Sequence, residues 1–382
     1  MRTWLSMIAL AAGCLASALG CSSRRAGPAR ETAKNESSQE KTVTVAVSTE
    51  PRHRPTLKLG PGLLGATRPR PQPEGTLRLT AQRCQVEGAT FLSTRKNPAF
   101  RALELVRPHL YAIDHTGAVL RFNVVPGAKC RLRVDKSWGT GGVYRAGFGL
   151  ERLSADDRGT LVASGVLGSV VVRRGRVVYR CKAQKQGHIA LHPTGGWGLA
   201  GYWGSDVQHL VFGPASCTGK GWHLTGLKDD ARRRGPFRLV SALGFRGDTI
   251  LVGGSLAMPV QGWHPQVVVA FDNQGRRRFA LGALTGHGVE RFGWIHAVGV
   301  CGANRICVVD SNNRLLTLWD KSGKFMGAAA LPALLGLRDP WVTNLAVITQ
   351  DRAYLAAGPG GSQTGLSAGS IFRVDGLAKA RP

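Results

Sequence analysis

From residue 76 onward the chain is a succession of short apolar runs broken by polar turn clusters. The clearest unit is Ile295-His296-Ala297-Val298-Gly299-Val300, a turn, then Ile306-Cys307-Val308-Val309-Asp310. Ser311-Asn312-Asn313 follows, then Arg314-Leu315-Leu316-Thr317-Leu318-Trp319-Asp320, Lys321-Ser322-Gly323 and Lys324-Phe325-Met326-Gly327. Runs of this length, joined by residues tolerant of left-handed backbone, predict four strands in an antiparallel meander.

The same order recurs. One copy holds Leu239-Val240, Thr249-Ile250-Leu251-Val252, Val267-Val268-Val269-Ala270-Phe271-Asp272 and Arg278-Phe279-Ala280-Leu281. Earlier copies centre on Leu110-Tyr111-Ala112-Ile113-Asp114 with Val119-Leu120-Arg121-Phe122, and on Leu161-Val162-Ala163-Ser164 with Val170-Val171-Val172. A weaker copy runs from His188 to Leu224, and the last holds Leu345-Ala346-Val347-Ile348, Ala353-Tyr354-Leu355 and Ile371-Phe372-Arg373-Val374-Asp375. Innermost strands are expected near 101, 150, 188, 238, 295 and 343. A lone four-stranded sheet exposes both faces, so such units must stack, and the expected fold is an all-β, six-bladed β-propeller. A seven-blade ring or an irregular β-sandwich is the rival. The last copy lacks an outer strand, and Thr76-Leu77-Arg78-Leu79-Thr80-Ala81 is expected to supply it, closing the ring without an exposed edge.

The string from Val308 to Phe325 resembles the NHL repeat of six-bladed propellers: an apolar pair, Asp310, a polar turn with Asn312 and Asn313, Arg314, an alternating strand, Asp320, Gly323, Lys324 and Phe325. The resemblance is good in that unit, partial at 249–282 and 110–122, and poor at 188–224. It implies structural parts for Asp310, which would bond turn amides, and for Asn312 or Asn313, which would take left-handed backbone.

Residues 1–21 begin Met1-Arg2-Thr3-Trp4, run apolar from Leu5 to Leu19 and end Gly20-Cys21. A basic start, a short apolar region and a small residue at its end make a secretory signal, not a membrane span. Ser17-Ala18-Leu19-Gly20-Cys21 resembles the bacterial lipoprotein signal, in which Cys is thioether-linked to diacylglycerol. The family places Leu three residues before the Cys and a small residue two before; here those positions hold Ala18 and Leu19. The resemblance implies lipidation of Cys21, a membrane contact through the lipid, and, with Ser22-Ser23 next, residence in the outer membrane of a Gram-negative cell. Ala12-Gly13-Cys14, with a much shorter apolar region, and plain cleavage are the alternatives. Residues 22–75, rich in Ser, Pro, Arg, Glu and Lys, read as a disordered tether, leaving 76–382 as the propeller.

Composition sharpens this only in places. Gly is abundant at 51 of 382 residues, which suits turn-rich β structure. The net charge is +28. Of the 51 basic and 23 acidic residues, 10 and 5 lie in 22–75 and Arg2 in the leader, so the body carries 40 against 18. Such a field favours acidic partners. The dense runs Arg232-Arg233-Arg234 and Arg276-Arg277-Arg278 lack interleaved aromatics and read as turns, so no nucleic-acid partner is expected.

Of eight Cys, Cys14 leaves with the leader and Cys21 takes the lipid, leaving Cys84, Cys130, Cys181, Cys217, Cys301 and Cys307. An even number in an exported chain suggests disulfides. Cys301 and Cys307 flank a hairpin, where opposed positions fall within bonding range. The other four allow three pairings, of which Cys84–Cys130 and Cys181–Cys217 are favoured.

Candidate chemistry is thin. His188 and His192 alternate onto one face of a strand, but no third ligand follows. Asp156-Asp157 beside Arg158-Gly159 reads as a turn. Ser164-Gly165 and Gly253-Gly254-Ser255 lack the flanks of a nucleophile elbow. Gly358-Pro359-Gly360-Gly361-Ser362 lacks the Lys and helix of a phosphate loop. Asn344 and Asp339 lie near an inner strand without a matching acidic set, and Trp197, Trp203, Trp222, Trp263, Trp294 and Trp341 cluster near turns or inner strands. No catalytic residue, metal or cofactor is expected. The favoured reading is a non-catalytic, envelope-anchored binding module for a protein or anionic polysaccharide. The alternatives are a metal-dependent hydrolase or lactonase of the six-bladed type and an outer-membrane assembly scaffold.

Overall fold

The computed structural model describes residues 77–88, 100–147, 149–165, 167–182, 188–201, 207–212, 217–222, 237–257, 264–282, 291–301, 305–349, 351–359 and 369–380. The leader with Cys21, the tether, the Arg232–Arg234 run, Trp203 and Trp263 lie outside them, as do the side chains of Cys181, Cys217 and Trp222.

Two short strands open the described chain, β1 (Thr80–Arg83) and β2 (Gln85–Glu87). Next come β3 (Phe100–Val106), β4 (His109–Asp114), β5 (Val119–Val125), β6 (Arg131–Val134) and β7 (Val143–Tyr144). The second unit is β8 (Arg152–Ala155), β9 (Thr160–Gly165), β10 (Gly168–Arg173) and β11 (Arg176–Lys182). The third is β12 (His188–Leu191), β13 (Trp197–Gly201), β14 (Val207–Phe212) and β15 (Cys217–Trp222). The fourth is β16 (Phe237–Arg246), β17 (Thr249–Leu256), β18 (Gln266–Phe271) and β19 (Arg277–Leu281). The fifth is β20 (Ile295–Cys301), β21 (Arg305–Asp310), β22 (Leu315–Trp319) and β23 (Phe325–Ala330), followed by a one-turn helix α1 (Leu331–Leu335). β24 (Pro340–Thr349), β25 (Arg352–Pro359) and β26 (Ser370–Asp375) complete the chain.

Five four-stranded antiparallel sheets result: β8–β11, β12–β15, β16–β19, β20–β23, and β24-β25-β26 completed by β1. In a larger sheet, β3 to β6 form the meander, β7 adds to β5, and β2 joins β6 in parallel at the outer edge. The architecture is an all-β propeller of four-stranded antiparallel blades. The innermost strands pack in sequence, β3 on β8, β8 on β12, β12 on β16, β16 on β20, β20 on β24, and β24 back on β3.

Apolar burial follows the same circuit. Tyr111 and Ile113 meet Leu153 and Leu161 between the first two meanders. Val162 and Val171 meet Ile189 and Leu191 at the next junction. Leu199 packs on Phe237, and Leu251 on Ile306. Leu318 packs with Leu355 and Phe372, and Phe100 with Tyr354 and Ile371. Each sheet therefore buries both faces, which explains why its central strands are apolar at successive positions instead of alternating.

The closing strand differs from expectation. The N-terminal segment does complete the last sheet, but the paired residues are Thr80–Arg83, with Ala81 opposite Val374 and Gln82 opposite Arg373, so of the expected 76–81 only Thr80 and Ala81 pair and Thr76 lies outside the described residues. Leu77 and Leu79 alternate like a strand but serve as packing: Leu77 is buried in the core between the last two sheets, and its N–H donates to the Ala328 carbonyl. Beyond β1 the chain crosses to the outer edge of the first meander, where Cys84 is bonded to Cys130. Cys301 and Cys307 are bonded across their hairpin.

The hairpin turns share one device, Asp-x-x-Gly. Asp114 Oδ1 accepts from the Thr116 and Ala118 N–H groups. Asp156 does the same for Arg158 and Thr160, Asp272 for Gln274 and Arg276, and Asp320 for Ser322 and Lys324. The glycine of each, Gly117, Gly159, Gly275 or Gly323, has φ between 76° and 88°, which disfavours any side chain. Asp310 likewise accepts from Gly293, Trp294 and Asn313. The left-handed residue of that turn is Arg314 (φ 58°), not Asn312 or Asn313. The Asn313 amide is instead occupied by Asp310 and the Arg291 carbonyl. In the 276–278 run, Arg276 occupies the turn while Arg277 and Arg278 begin β19; Arg276 and Arg278 both pair with Asp272.

Candidate functional site

The innermost strands line a cavity of about 240 Å³. Much of its wall is apolar, with Leu153, Ile189, Leu243, Phe245, Leu345 and Val347. Into it are set Glu104 from β3, Arg152 from β8, His188 from β12, His296 from β20 and Asn344 from β24.

Local backbone explains some of these positions. Near their starts, β3, β16, β20 and β24 each slip by one residue against the neighbouring strand, at Arg101, Ser241, His296 and Thr343. A bulge re-aims the side chain it carries. Three of the four bulge residues hold a buried polar atom without a hydrogen bond: Arg101 Nε, Ser241 Oγ and His296 Nδ1. Thr343 instead bonds the Ala356 carbonyl, and its own carbonyl accepts from Arg152 Nη1 at 3.5 Å. Asn344, one residue on, leaves Oδ1 unbonded. The His296 ring is only 7% exposed and lies edge-on to Trp341, with centroids 4.8 Å apart.

Burial governs the protonation of this wall. It pushes the Glu104 carboxyl up to about 8, against hydrogen bonds from the Leu105 and Ala155 backbone. It holds His188 well below the usual imidazole range, with Arg152 and His296 adding to the effect. It brings His296 down to about 3, again with help from Arg152. At neutral pH both imidazoles and Glu104 are therefore uncharged, and Arg152 carries the positive charge.

The structure separates the two histidines that the sequence pairs. His188 faces the channel, whereas His192 lies past the end of β12 and stacks on Trp197 at 4.3 Å, with Nδ1 bonded to Thr194. His192 occupies the Asp position of an Asp-x-x-Gly turn, and that turn removes it from the strand's alternation. Asn344 reaches the cavity, while Asp339 pairs with Arg314 at 2.6 Å. Asp156 is committed to its turn. Ser164 sits buried within β9 and Ser255 within β17. Residues 360–362 of the glycine-rich loop lie outside the described residues. Among the described residues no three His, Cys, Asp or Glu side chains are grouped to hold a metal ion. Glu104, Arg152 and His296 were not singled out by sequence; the signal for them is a titratable residue within a strand whose neighbours are buried and apolar.

No family model matches the chain, and no curated protein matches it in sequence. Solved structures do match in fold. A luciferin-regenerating enzyme aligns with TM-score 0.52 and 11% identity over 80% of this chain and 97% of its own. The WD40 repeats of RRP9 align at 0.46 and 10% identity over 80% and 99%, and the WD40 propeller domain of Doa1 at 0.45 and 12% over 74% and 94%. At this identity the likeness concerns fold alone, and a propeller is compatible with a binding module and with a hydrolase alike.

Proposed function

We propose that the chain is an exported lipoprotein whose six-bladed, NHL-like propeller acts as a non-catalytic binding module at the cell envelope. In this reading Cys21 carries the lipid, residues 22–75 are the tether, and the basic body meets a protein or anionic polysaccharide of the outer membrane. The observation that carries the binding reading is the channel wall, where Glu104, Arg152, His188 and His296 are set among apolar side chains. Buried ionisable groups cost free energy and cluster where a protein meets a ligand.

Two measurements test it. Radiolabelled palmitate should enter the wild-type chain and not Cys21→Ala; equal labelling of both overturns the anchor. The full-length protein in detergent should retain an envelope component reversibly and without chemical change.

The hydrolase is the second reading, favoured by Glu104, whose carboxyl at about 8 suits a general acid. Turnover of lactone or ester substrates, abolished by Glu104→Gln, would establish it in place of the binding module.

A further inference from the structure

We infer that the channel is a site for a small uncharged molecule that both donates and accepts a hydrogen bond, of the amide or lactam kind, seated between Glu104 and His188. This rests on the binding reading above and names the ligand class for its channel.

The cavity sets the size. About 240 Å³ is below the range of drug-sized pockets, so the occupant is a small molecule and not a peptide or glycan chain. Leu243, Phe245, Leu345 and Val347 offer its hydrocarbon body an apolar wall.

Two polar side chains stay open to that space. Glu104 on β3 and His188 on β12 come from the strands on either side of β8, and both line the cavity while only part-buried. In this they differ from Asn344 and His296, whose unbonded Oδ1 and Nδ1 are sealed within the wall. His188 makes no hydrogen bond among the described residues, and the titratable groups that face it are Arg152 and His296. A neutral imidazole has one N–H to give and one nitrogen to receive. Glu104 Oε1 accepts from the Leu105 N–H at 3.0 Å, which leaves the O–H of the protonated carboxyl to a ligand. An amide carbonyl answers that O–H, and an amide N–H answers the imidazole nitrogen. Leaving such groups unpaired inside a protein is costly.

Charge argues against an ion. Arg152 is the cation of the wall and is already engaged there, with Nη1 on the Thr343 carbonyl. An ion entering among these apolar side chains would give up its hydration without a free counter-charge to replace it, a cost that a neutral amide avoids.

The test uses benzamide, benzoate and benzamidinium on the full-length protein by titration calorimetry at pH 6.5. The three share one shape and differ in charge. Benzamide should bind about tenfold or more tightly than either ion. Raising the pH removes the Glu104 donor. Arg152, His188 and His296 keep their charge states from pH 6.5 upward, so with the Glu104 carboxyl at about 8, benzamide affinity should fall about tenfold by pH 9. Glu104→Gln keeps a donor that does not ionise and should bind benzamide alike at both pH values. His188→Phe should weaken benzamide about tenfold. Should that variant fail to fold, His188→Gln, which retains a donor and an acceptor, should still prefer benzamide to both ions. Benzoate or benzamidinium binding as tightly as benzamide overturns the inference. So does a wild-type affinity for benzamide that is unchanged at pH 9. Binding of no probe also overturns it and leaves the cavity to water, and retention of an envelope component by the same preparation would leave the binding module standing.

Discussion

Cys84 and Cys130 lie 4.5 Å apart at Cα and join the segment that completes one sheet to the outer edge of the next. β1 is paired to β26, β2 to β6, and the disulfide lies at their junction. Gln82 adds a second tie, its side-chain carbonyl accepting from the Cys130 N–H at 2.8 Å. The first and last described strands are thereby fastened at one seam.

Opening that seam should cost more than opening the hairpin disulfide. Cys84 and Cys130 are 46 residues apart, and Cys301 and Cys307 are 6 apart. Chain entropy assigns about 4 kcal/mol to the longer loop and about 2 kcal/mol to the shorter. Replacing Cys84 and Cys130 together by Ala should therefore lower the urea midpoint about twice as far as replacing Cys301 and Cys307. Equal losses would show that the seam is held by its strands and not by the covalent bond.

Asp310 is buried, and its carboxylate accepts from three backbone N–H groups and the Asn313 amide. Asp310→Ala leaves those donors unpaired and should destabilise by about 3 kcal/mol or more. Asp320 performs the same turn duty at the surface, where water replaces it, so Asp320→Ala should cost no more than about 1 kcal/mol. Thermal unfolding of the two variants checks the contrast. A loss at Asp320 matching that at Asp310 would contradict it.

Much of the fold was legible because repetition amplifies weak local signals. Each apolar run is ambiguous alone, but Asp272 and Asp320 close the same third-to-fourth strand turn 48 residues apart, while Asp114 and Asp156 hold other turns, so it is the order of the runs that sets the period. The closing strand was expected a few residues too early because Leu77 and Leu79 alternate as a strand would, while their role is to fill the gap between two sheets. The channel residues were hidden for a different reason. His296 sits on a bulge, where strand alternation fails, so no period-two pattern points it inward. Glu104 and Arg152 lie far apart in sequence and line the same cavity only because β3 packs on β8.

Two glycines should separate tight from open packing. A Cβ on Gly254 would run into the Leu239 carbonyl oxygen, so Gly254→Ala must move backbone and should cost about 1–3 kcal/mol. A Cβ on Gly299, which lines the cavity, would meet only Val347 and Leu345 side chains at 3.6 and 3.7 Å, an ordinary contact. Gly299→Ala should therefore leave the melting temperature nearly unchanged. Thermal unfolding of the two variants side by side checks this, and a loss at Gly299 matching that at Gly254 would contradict it.

The channel also predicts how stability depends on pH. Between 4.5, its ordinary value, and about 8, Glu104 keeps in the folded state a proton that the unfolded chain has released. Stability therefore falls as pH rises through that window. His296 acts oppositely. Between about 3 and 6.5 the unfolded chain binds a proton that the folded state refuses, so stability rises with pH there, and His188 pulls in the same direction. With two imidazoles against one carboxyl below pH 6.5, and the carboxyl alone above it, these groups place the maximum near pH 6.5. The urea midpoint should be higher at pH 6.5 than at either pH 5 or pH 8.5. Glu104→Gln, which keeps the neutral shape, should abolish the decline between 6.5 and 8.5 and leave the acid limb intact. An undiminished decline in that variant would mean that Glu104 is already ionised in the folded protein.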